Sequence, residues 1–226
     1  MYLIIKRIFD ISFSVLILLI ISPLFIPISI MLILTGEGHI FYTQERVGFL
    51  NKKFKIFKFA TMLKNSPNMT GGIITTKNDP RLTPLGGFLR KTKINELPQL
   101  INILKGDISF IGPRPVMTRS FEAYPDNVKK SIYNVLPGLT GIGSIIFRNE
   151  ETIISKIAEN KGDTWEFYNK VIYPYKGEVE MWYLKNQSFF VDLILLVLTF
   201  LVVLFSKSNL VYLVFKNLPP KPKELL

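Results

Sequence analysis

Apolar and polar positions divide this chain into a long uncharged run near its start, a mixed middle, and a second apolar run near its end. Residues 11–34 are mostly Ile, Leu, Val and Phe, carry no charged side chain, and follow Lys6 and Arg7. This pattern predicts a membrane segment with a cytoplasmic N-terminus. A cleaved signal fits less well, because the run is long and no small-residue cleavage site follows. A straight helix of this length would be about 36 Å, enough for a hydrocarbon core of about 30 Å. Ser22-Pro23 stands near its middle and Pro27 follows four residues later. Pro23 removes a backbone donor and clashes with the preceding turn, so a kink is predicted, and Ser22 can bond a freed carbonyl. Two arms at a sharp angle would each be about 18 Å, too short to span, and would return to one face. On pattern alone a kinked crossing helix is the simpler reading. Asp10, one turn from Lys6 and Arg7, predicts an interfacial ion pair of small energetic value.

Residues 36–61 mix aromatic and polar side chains around a turn at 49–51, which predicts a half-buried β-hairpin. Lys52, Lys53, Lys55 and Lys58 would form a positive face, solvated or laid on anionic headgroups at about 1 kcal/mol each. Residues 65–78 read as a loop with Pro67, Gly71 and Gly72. Thr83-Pro84 opens a helix that runs to Lys91. Leu97, Leu100, Ile101 and Leu104 recur at helical spacing, and Gly106 stands where a helix-ending glycine belongs. Residues 106–115 predict a helix exit, a short apolar strand and a rigid loop. Residues 120–134 read as a polar helical stretch and 137–141 as a turn-rich loop. The acids at Glu150, Glu151, Glu159 and Asp163 read as solvated. Trp182 and Tyr183 suit either a membrane interface or a core. The second apolar run, 189–205, is interrupted by Asp192; a crossing and an interfacial helix are both open. Residues 219–226 read as a solvated tail.

Charge changes the picture. The 226 residues carry a formal net charge of +11. Anionic partners follow: lipid headgroups, nucleic acid or phosphorylated substrates. No basic recognition helix, zinc spacing or aromatic RNA-binding signature is present, so the apolar runs favour a membrane over nucleic acid. There is no cysteine, which excludes disulfides, thiol nucleophiles and thiolate metal sites. His39 is the only histidine and reads as a surface or hairpin residue.

Candidate chemistry concentrates in residues 89–115. Arg90, Lys91 and Lys93 precede Asn95-Glu96, and Pro98 follows. With Asn95 as N-cap and Pro98 in the first turn, the helix start would gather free N–H groups, dipole and cations at a phosphate site. Glu96 would reconcile with that setting through a bridging metal ion. The plainer reading leaves Asn95 as a cap and Glu96 as a complement to the dipole. Arg81 and Arg90 are candidates for pyrophosphate contacts, or else surface arginines or partners of Asp79. Pro113 and Pro115 restrain Arg114, which suits it to anion recognition. Asp107 either assists a metal or completes a turn.

Five stretches then carry a resemblance: KRIFD at 6–10, QERVG at 44–48, DPRLTPLG at 79–86, the central stretch, and PGLTG at 137–141. In this order and spacing the chain resembles the bacterial sugar transferase family, the small monotopic phosphoglycosyl transferases, from Lys6 to about Gly143 and more weakly beyond. The resemblance implies an α/β (α+β, helix-rich) fold. A compact cytoplasmic catalytic domain would carry a re-entrant helix broken at Ser22-Pro23 and interfacial amphipathic helices. It divides the chain into residues 1–35, 36–188 and 189–226. It implies transfer of a sugar phosphate from a UDP-sugar to polyprenyl (undecaprenyl) phosphate, releasing UMP, with Mg2+. The setting implied is the bacterial inner membrane, cytoplasmic face, as the first membrane step of a surface glycan. Anionic lipids and a second copy of the chain are further partners, and nucleic acid is not. Carried over by position, Glu96, Asn95 and Arg90 are catalytic. Arg114, Arg81, Lys91, Pro113 and Pro115 bind substrate, and Glu96 with Asp107 holds metal.

The family uses an Asp-Glu pair, in which the aspartate attacks the β-phosphate and the glutamate binds metal. Here the pair is Asn95-Glu96, and a carboxamide is a poor nucleophile. Three readings follow: Glu96 as nucleophile with another acid, such as Asp107, at the metal; direct attack by the lipid phosphate with Glu96 at the metal; or no activity at this step. Ala60, where the family often has arginine, is a second departure. A catalytically impaired membrane-binding scaffold and a glycosyltransferase releasing UDP are the alternatives.

Overall fold

The computed structural model describes residues 1–69, 79–159, 163–205 and 209–225. From residue 70 to residue 78 the expected loop, with Gly71 and Gly72, lies outside the described residues, as do residues 160–162 of the acidic stretch.

The chain opens with helix α1 (Tyr2–Thr35), followed by strands β1 (Phe41–Val47) and β2 (Lys53–Phe59). The strands pair antiparallel, Phe41 opposite Phe59 and Val47 opposite Lys53, around a 3-10 turn at Phe49–Asn51. This is the hairpin that the sequence predicts. Its lysines do not share one face, however. Lys53 and Lys55 are exposed, whereas the Lys58 side chain is largely buried, because a strand turns alternate side chains to opposite sides.

Helix α2 (Gly86–Lys91), a 3-10 turn at Ile94–Glu96 and helix α3 (Gln99–Lys105) follow. Gly106 ends α3 at φ 85°, a left-handed backbone that glycine adopts without steric cost. Strand β3 (Ser109–Ile111) pairs parallel with β4 (Gly138–Thr140), Ser109 opposite Gly138 and Ile111 opposite Thr140. The residues expected to form a turn-rich loop at 137–141 are therefore partly strand. The Ser109 N–H donates to Pro137 O at 2.8 Å and the Gly112 N–H to Thr140 O at 3.1 Å, partners that local sequence does not reveal.

The polar stretch at 120–134 holds two short helices, α4 (Thr118–Glu122) and α5 (Asp126–Lys129), with Pro125 between them. After β4 come α6 (Ile142–Ile146), α7 (Glu150–Glu159), α8 (Thr164–Phe167), a π turn at Tyr168–Ile172, α9 (Tyr173–Asn186), α10 (Phe189–Phe205) and α11 (Leu210–Val214). The fold is helix-rich with two small sheets.

The main core joins α3, β3, α6, α9, α10 and α11 through residues such as Ile103, Ile108, Ile142, Val179, Leu195 and Val211. Trp182 and Tyr183 lie in this core and not at an outer surface. The end of the chain is not a free tail: Leu218 and Leu225 are buried in the same core, and Tyr175 donates to Pro219 O at 3.0 Å.

Helix α1 is the one helix among the described residues long and apolar enough to cross a membrane. Ser22-Pro23 does not divide it into two helices. Helical hydrogen bonding continues around both prolines, and Ser22 Oγ donates to Leu19 O at 2.9 Å. Both ends of α1 grip the body of the protein. Arg7 donates to the Ile103 and Leu104 carbonyls at 2.6 and 2.9 Å, satisfying the end of α3. Near the other end, Ile28 and Leu32 pack with Phe59 and Leu89. The expected pairing of Asp10 with Lys6 and Arg7 does not form. Asp10 is buried and accepts from Ser109 Oγ at 3.1 Å and from the Phe110 N–H at 3.0 Å. Lys6 instead pairs with Asp192, 186 residues away, which also accepts from Tyr2 and Tyr183 at 2.7 Å each. A charge that looked like an interruption of the second apolar run is the clasp between α1 and α10.

Candidate active site

Glu96 ends the turn between α2 and α3. Its Oε1 accepts from Arg114 Nη2 at 2.6 Å and lies 3.6 Å from Lys58 Nζ. Three separated segments therefore meet at one carboxylate: β2, the 3-10 turn and the loop after β3. Burial pushes the Glu96 carboxyl up, but Arg114, Lys58 and Lys93 outweigh it and hold it well below the usual carboxylate range. Burial also pushes the Lys58 amine down to about 7; Glu96 opposes that, while Arg46 and Arg114 add to it. Arg46 is held down at about 10 by burial and then by Arg114.

The loop carrying Arg114 is fixed from several sides. Pro113 O accepts from the Gly138 N–H at 2.9 Å. Tyr133 donates to Arg114 O at 2.9 Å and accepts from the Val116 N–H at 3.1 Å. Arg114 Nη1 reaches Leu139 O at 3.2 Å. Gly138 permits this approach, since a Cβ there would lie 2.2 Å from the Gly112 nitrogen. Pro113 and Pro115 are buried and shape the loop without lining the cavity beside it.

That cavity, about 1710 Å3, is walled by Asn95, Glu96, Lys58, Arg114, Arg90 and Arg148 among others. Cationic side chains outnumber carboxylates along it. Asn95 Oδ1, Ser144 Oγ, Glu180 Oε2, Arg46 Nε and Arg148 Nε are buried there without a hydrogen-bond partner. Buried polar atoms are rarely left so, and several at one cavity give it a wall suited to water or a polar ligand.

The sequence candidates fare differently. Asn95, Glu96, Arg90, Lys91, Arg81 and Arg114 all line the one cavity. Arg90 bonds Glu151 on α7 at 3.1 Å, and the Lys91 carbonyl accepts from Arg148 at 3.2 Å. Arg81 is buried and its guanidinium is held by Asp79, Nε at 2.8 Å and Nη2 at 2.6 Å, as one of its readings anticipates. Asn95 does not cap α3. It lies within the 3-10 turn, Pro98 occupies the cap position, and the Leu100 and Ile101 amides are taken by the Leu97 and Pro98 carbonyls. Cationic side chains, and not free helix amides, make this end of the cavity suited to an anion. Asp107 is not beside Glu96. It follows the C-terminus of α3, whose seven residues rise about 10 Å, and it bonds Asn102 Nδ2 at 2.9 Å and Lys105 at 3.3 Å. No group of three or more acidic or histidine side chains that could hold a metal occurs among the described residues.

Sequence reasoning missed Arg46, Lys58, Arg148 and Glu180 as cavity residues. Glu180 on α9 is buried, and burial pushes its carboxyl up to about 8 against the Arg114 backbone, Lys176 and Arg114. Burial therefore favours the neutral, protonated form of this carboxyl. Its position three residues before the buried Tyr183 was the available signal for an inward-facing acid.

Comparison with known proteins fits this geometry. A profile of the bacterial sugar transferase family matches residues 1–206. The chain belongs to the bacterial sugar transferase family. It is 35% identical over 213 residues to the undecaprenyl-phosphate galactose phosphotransferase of Salmonella typhimurium, covering 88% of this chain and 40% of that protein. It is 37% identical over 147 residues to the undecaprenyl-phosphate glucose phosphotransferase of Komagataeibacter xylinus, covering 62% of this chain and 27% of that protein. It is 30% identical over 218 residues to the exopolysaccharide production protein ExoY of Rhizobium meliloti, covering 90% of this chain and 87% of that protein. The chain thus spans less than half of the Salmonella relative and most of ExoY.

Proposed function

We propose that the chain moves a sugar phosphate from a UDP-sugar to polyprenyl phosphate and releases UMP, at the start of a surface glycan. The observation that carries this is the Glu96–Arg114–Lys58 cluster in a cavity with surplus cations and unpartnered polar atoms. Both substrates are anionic, so bringing them together needs charge neutralisation and in-line placement. The relatives named as undecaprenyl-phosphate phosphotransferases support this reaction class.

Direct attack fits the residues best. A phosphate oxygen of the lipid forms a bond to the β-phosphorus of the UDP-sugar. The bond from that phosphorus to the bridging oxygen breaks, and UMP leaves with the electron pair. Asn95 supplies no nucleophile, and Asp107 stands away from Glu96, which removes the acid that Glu96 would need were it the nucleophile. Arg114, Lys58 and Arg90 would bind the phosphates, and the protonated Glu180 would donate its O–H to a substrate oxygen. The Glu96 carboxylate and the unpartnered Asn95 Oδ1 are adjacent hard oxygens that suit Mg2+, which keeps most of its shell as water and phosphate. Such an ion would offset charge on the diphosphate.

We place the catalytic body on the cytoplasmic face of the bacterial inner membrane, with α1 entering and returning. A straight helix would set Arg7 and Leu32 about 37 Å apart. Yet Arg7 holds α3 and Leu32 packs on β2, elements joined directly by the bond from the Phe57 N–H to Asn102 Oδ1 at 2.9 Å. This favours two arms at an angle over one straight crossing. Exposed Lys52, Lys53 and Lys55 would rest on anionic lipid.

The test is UMP release by detergent-purified protein with Mg2+, polyprenyl phosphate and a panel of UDP-sugars, beside Glu96→Gln and Asn95→Asp. Release by the native chain that Glu96→Gln abolishes supports the reading. Release by Asn95→Asp alone identifies a disabled enzyme. UDP release instead of UMP overturns the reaction.

A further inference from the structure

The cavity does not end at its cations. Helices α1 and α10 are pinned where they begin, by Lys6 and Tyr2 on Asp192 and by the Phe9 and Phe189 rings, 6.1 Å apart edge to face. The gap left there is only about 20 Å3. Farther along, both helices become walls of the large cavity: Phe13 and Ile17 from α1; Leu196, Thr199 and Val203 from α10. Those positions are spaced by four on α1 and by three and four on α10, so each set forms a single helical stripe. All five are half-buried. They lie between a buried ridge (Leu195, Leu198, Val202) and an outward face that is open, with Phe200 65% and Leu204 57% exposed. Phe110 and Leu139 continue the apolar lining inward, and a Thr140–Thr199 hydroxyl bond of 2.9 Å marks the change to polar wall.

We propose that the cleft between α1 and α10, lined by Phe13, Ile17, Leu196, Thr199 and Val203, is the subsite for the first isoprene units of a prenyl phosphate whose phosphate rests at the Glu96–Arg114 cluster. The inference rests on the lipid acceptor proposed above and assigns that acceptor a place and a direction of entry. A UDP-sugar has no hydrocarbon chain to lay along this apolar stripe. A single apolar chain ending in a phosphate monoester matches both ends at once, the apolar stripe and the cation surplus. The chain would enter sideways, from the layer that bathes the exposed faces of α1 and α10.

The test is photolabelling of the full chain in nanodiscs with a prenyl phosphate bearing a diazirine near its phosphate end. Cross-links are expected at Phe13, Ile17, Leu196, Thr199 and Val203. Excess unlabelled polyprenyl phosphate should displace them; polyprenol and phosphatidylglycerol should not. Filling the cleft with Val203→Trp should cut displaceable labelling roughly tenfold, as expected when a few buried methylene contacts are lost. Leu204→Trp, one residue away on the outward face, should leave it within about twofold. Cross-links confined to Phe200 and Leu204 overturn the proposal. So does equal displacement by phosphatidylglycerol, which would make the cleft a place for bulk lipid. UMP release on the same preparation separates the two readings. Specific labelling without UMP release keeps the subsite and overturns the reaction; UMP release without labelling at the cleft does the reverse.

Discussion

Two buried acids in this protein look alike in composition and differ in what surrounds them. Asp192 meets Lys6, Tyr2 and Tyr183, and every contact is internal. The space beside it is about 20 Å3. Glu96 meets Arg114 and Lys58 but opens on a cavity of about 1710 Å3 whose wall holds surplus cations and unpartnered polar atoms. A satisfied buried pair fixes one element against another. An over-supplied one is arranged for a charge that arrives from outside. Burial of charge therefore does not by itself mark a candidate site; the unbalanced remainder does.

The comparison breaks most visibly at its structural end. Asp192→Ala should destabilise the fold by about 3–5 kcal/mol, because Lys6 is left buried without its partner. Thermal unfolding in detergent measures this. At the functional end the effect moves from stability to activity. Glu96→Gln should lower UMP release by at least about a hundredfold, while its melting temperature changes less than that of Asp192→Ala. Equal destabilisation by the two would erase the distinction.

Glu180 sharpens it further. Burial raises its folded carboxyl to about 8 from the ordinary 4.5. A raised acid pKa means that the folded state holds the proton while the unfolded state has lost it. Stability therefore falls as pH rises between those values. From pH 5.5 to 7 the loss should be about 2 kcal/mol, and Glu180→Gln should remove this slope. Lys58 acts with opposite sign and only above about pH 7, where the folded amine is already neutral. The smallest effect belongs to the outer rim. Glu151→Gln breaks the Arg90 pair, in which the Glu151 side chain is 55% exposed, and should cost under about 1 kcal/mol. Stability near that of the native chain with altered UDP-sugar KM would place Arg90 in substrate binding.

Much of the local architecture is legible in the residues. The hairpin follows from aromatic and polar mixing around 49–51, and the end of α3 from Gly106. The Asn95–Glu96 stretch and Arg114 stand out by charge and by proline restraint. Other features were readable but passed over: the period of two along β2 separates Lys58 from Lys53 and Lys55. Still others were not available locally. Asp107 follows Glu96 by only eleven residues plausible for a shared metal, yet α3 carries it away. Asn95 precedes a helix but sits inside a 3-10 turn, and the first amides of that helix are taken by the Leu97 and Pro98 carbonyls.

The sequence by itself determined the long apolar helix, the strand pair, the helix stops and the membership of a family. Those properties rest on periodicity, backbone restriction and ordered motifs, all of which act within a few residues. Only the tertiary structure decided which charges meet. Lys6 chose Asp192 over Asp10, Arg114 and Lys58 converged on Glu96, Glu180 turned inward, and two apolar helices closed at one end while staying open at the other. Coulomb attraction and desolvation depend on separation in space, and separation in space is fixed by packing that joins residues as much as 190 positions apart.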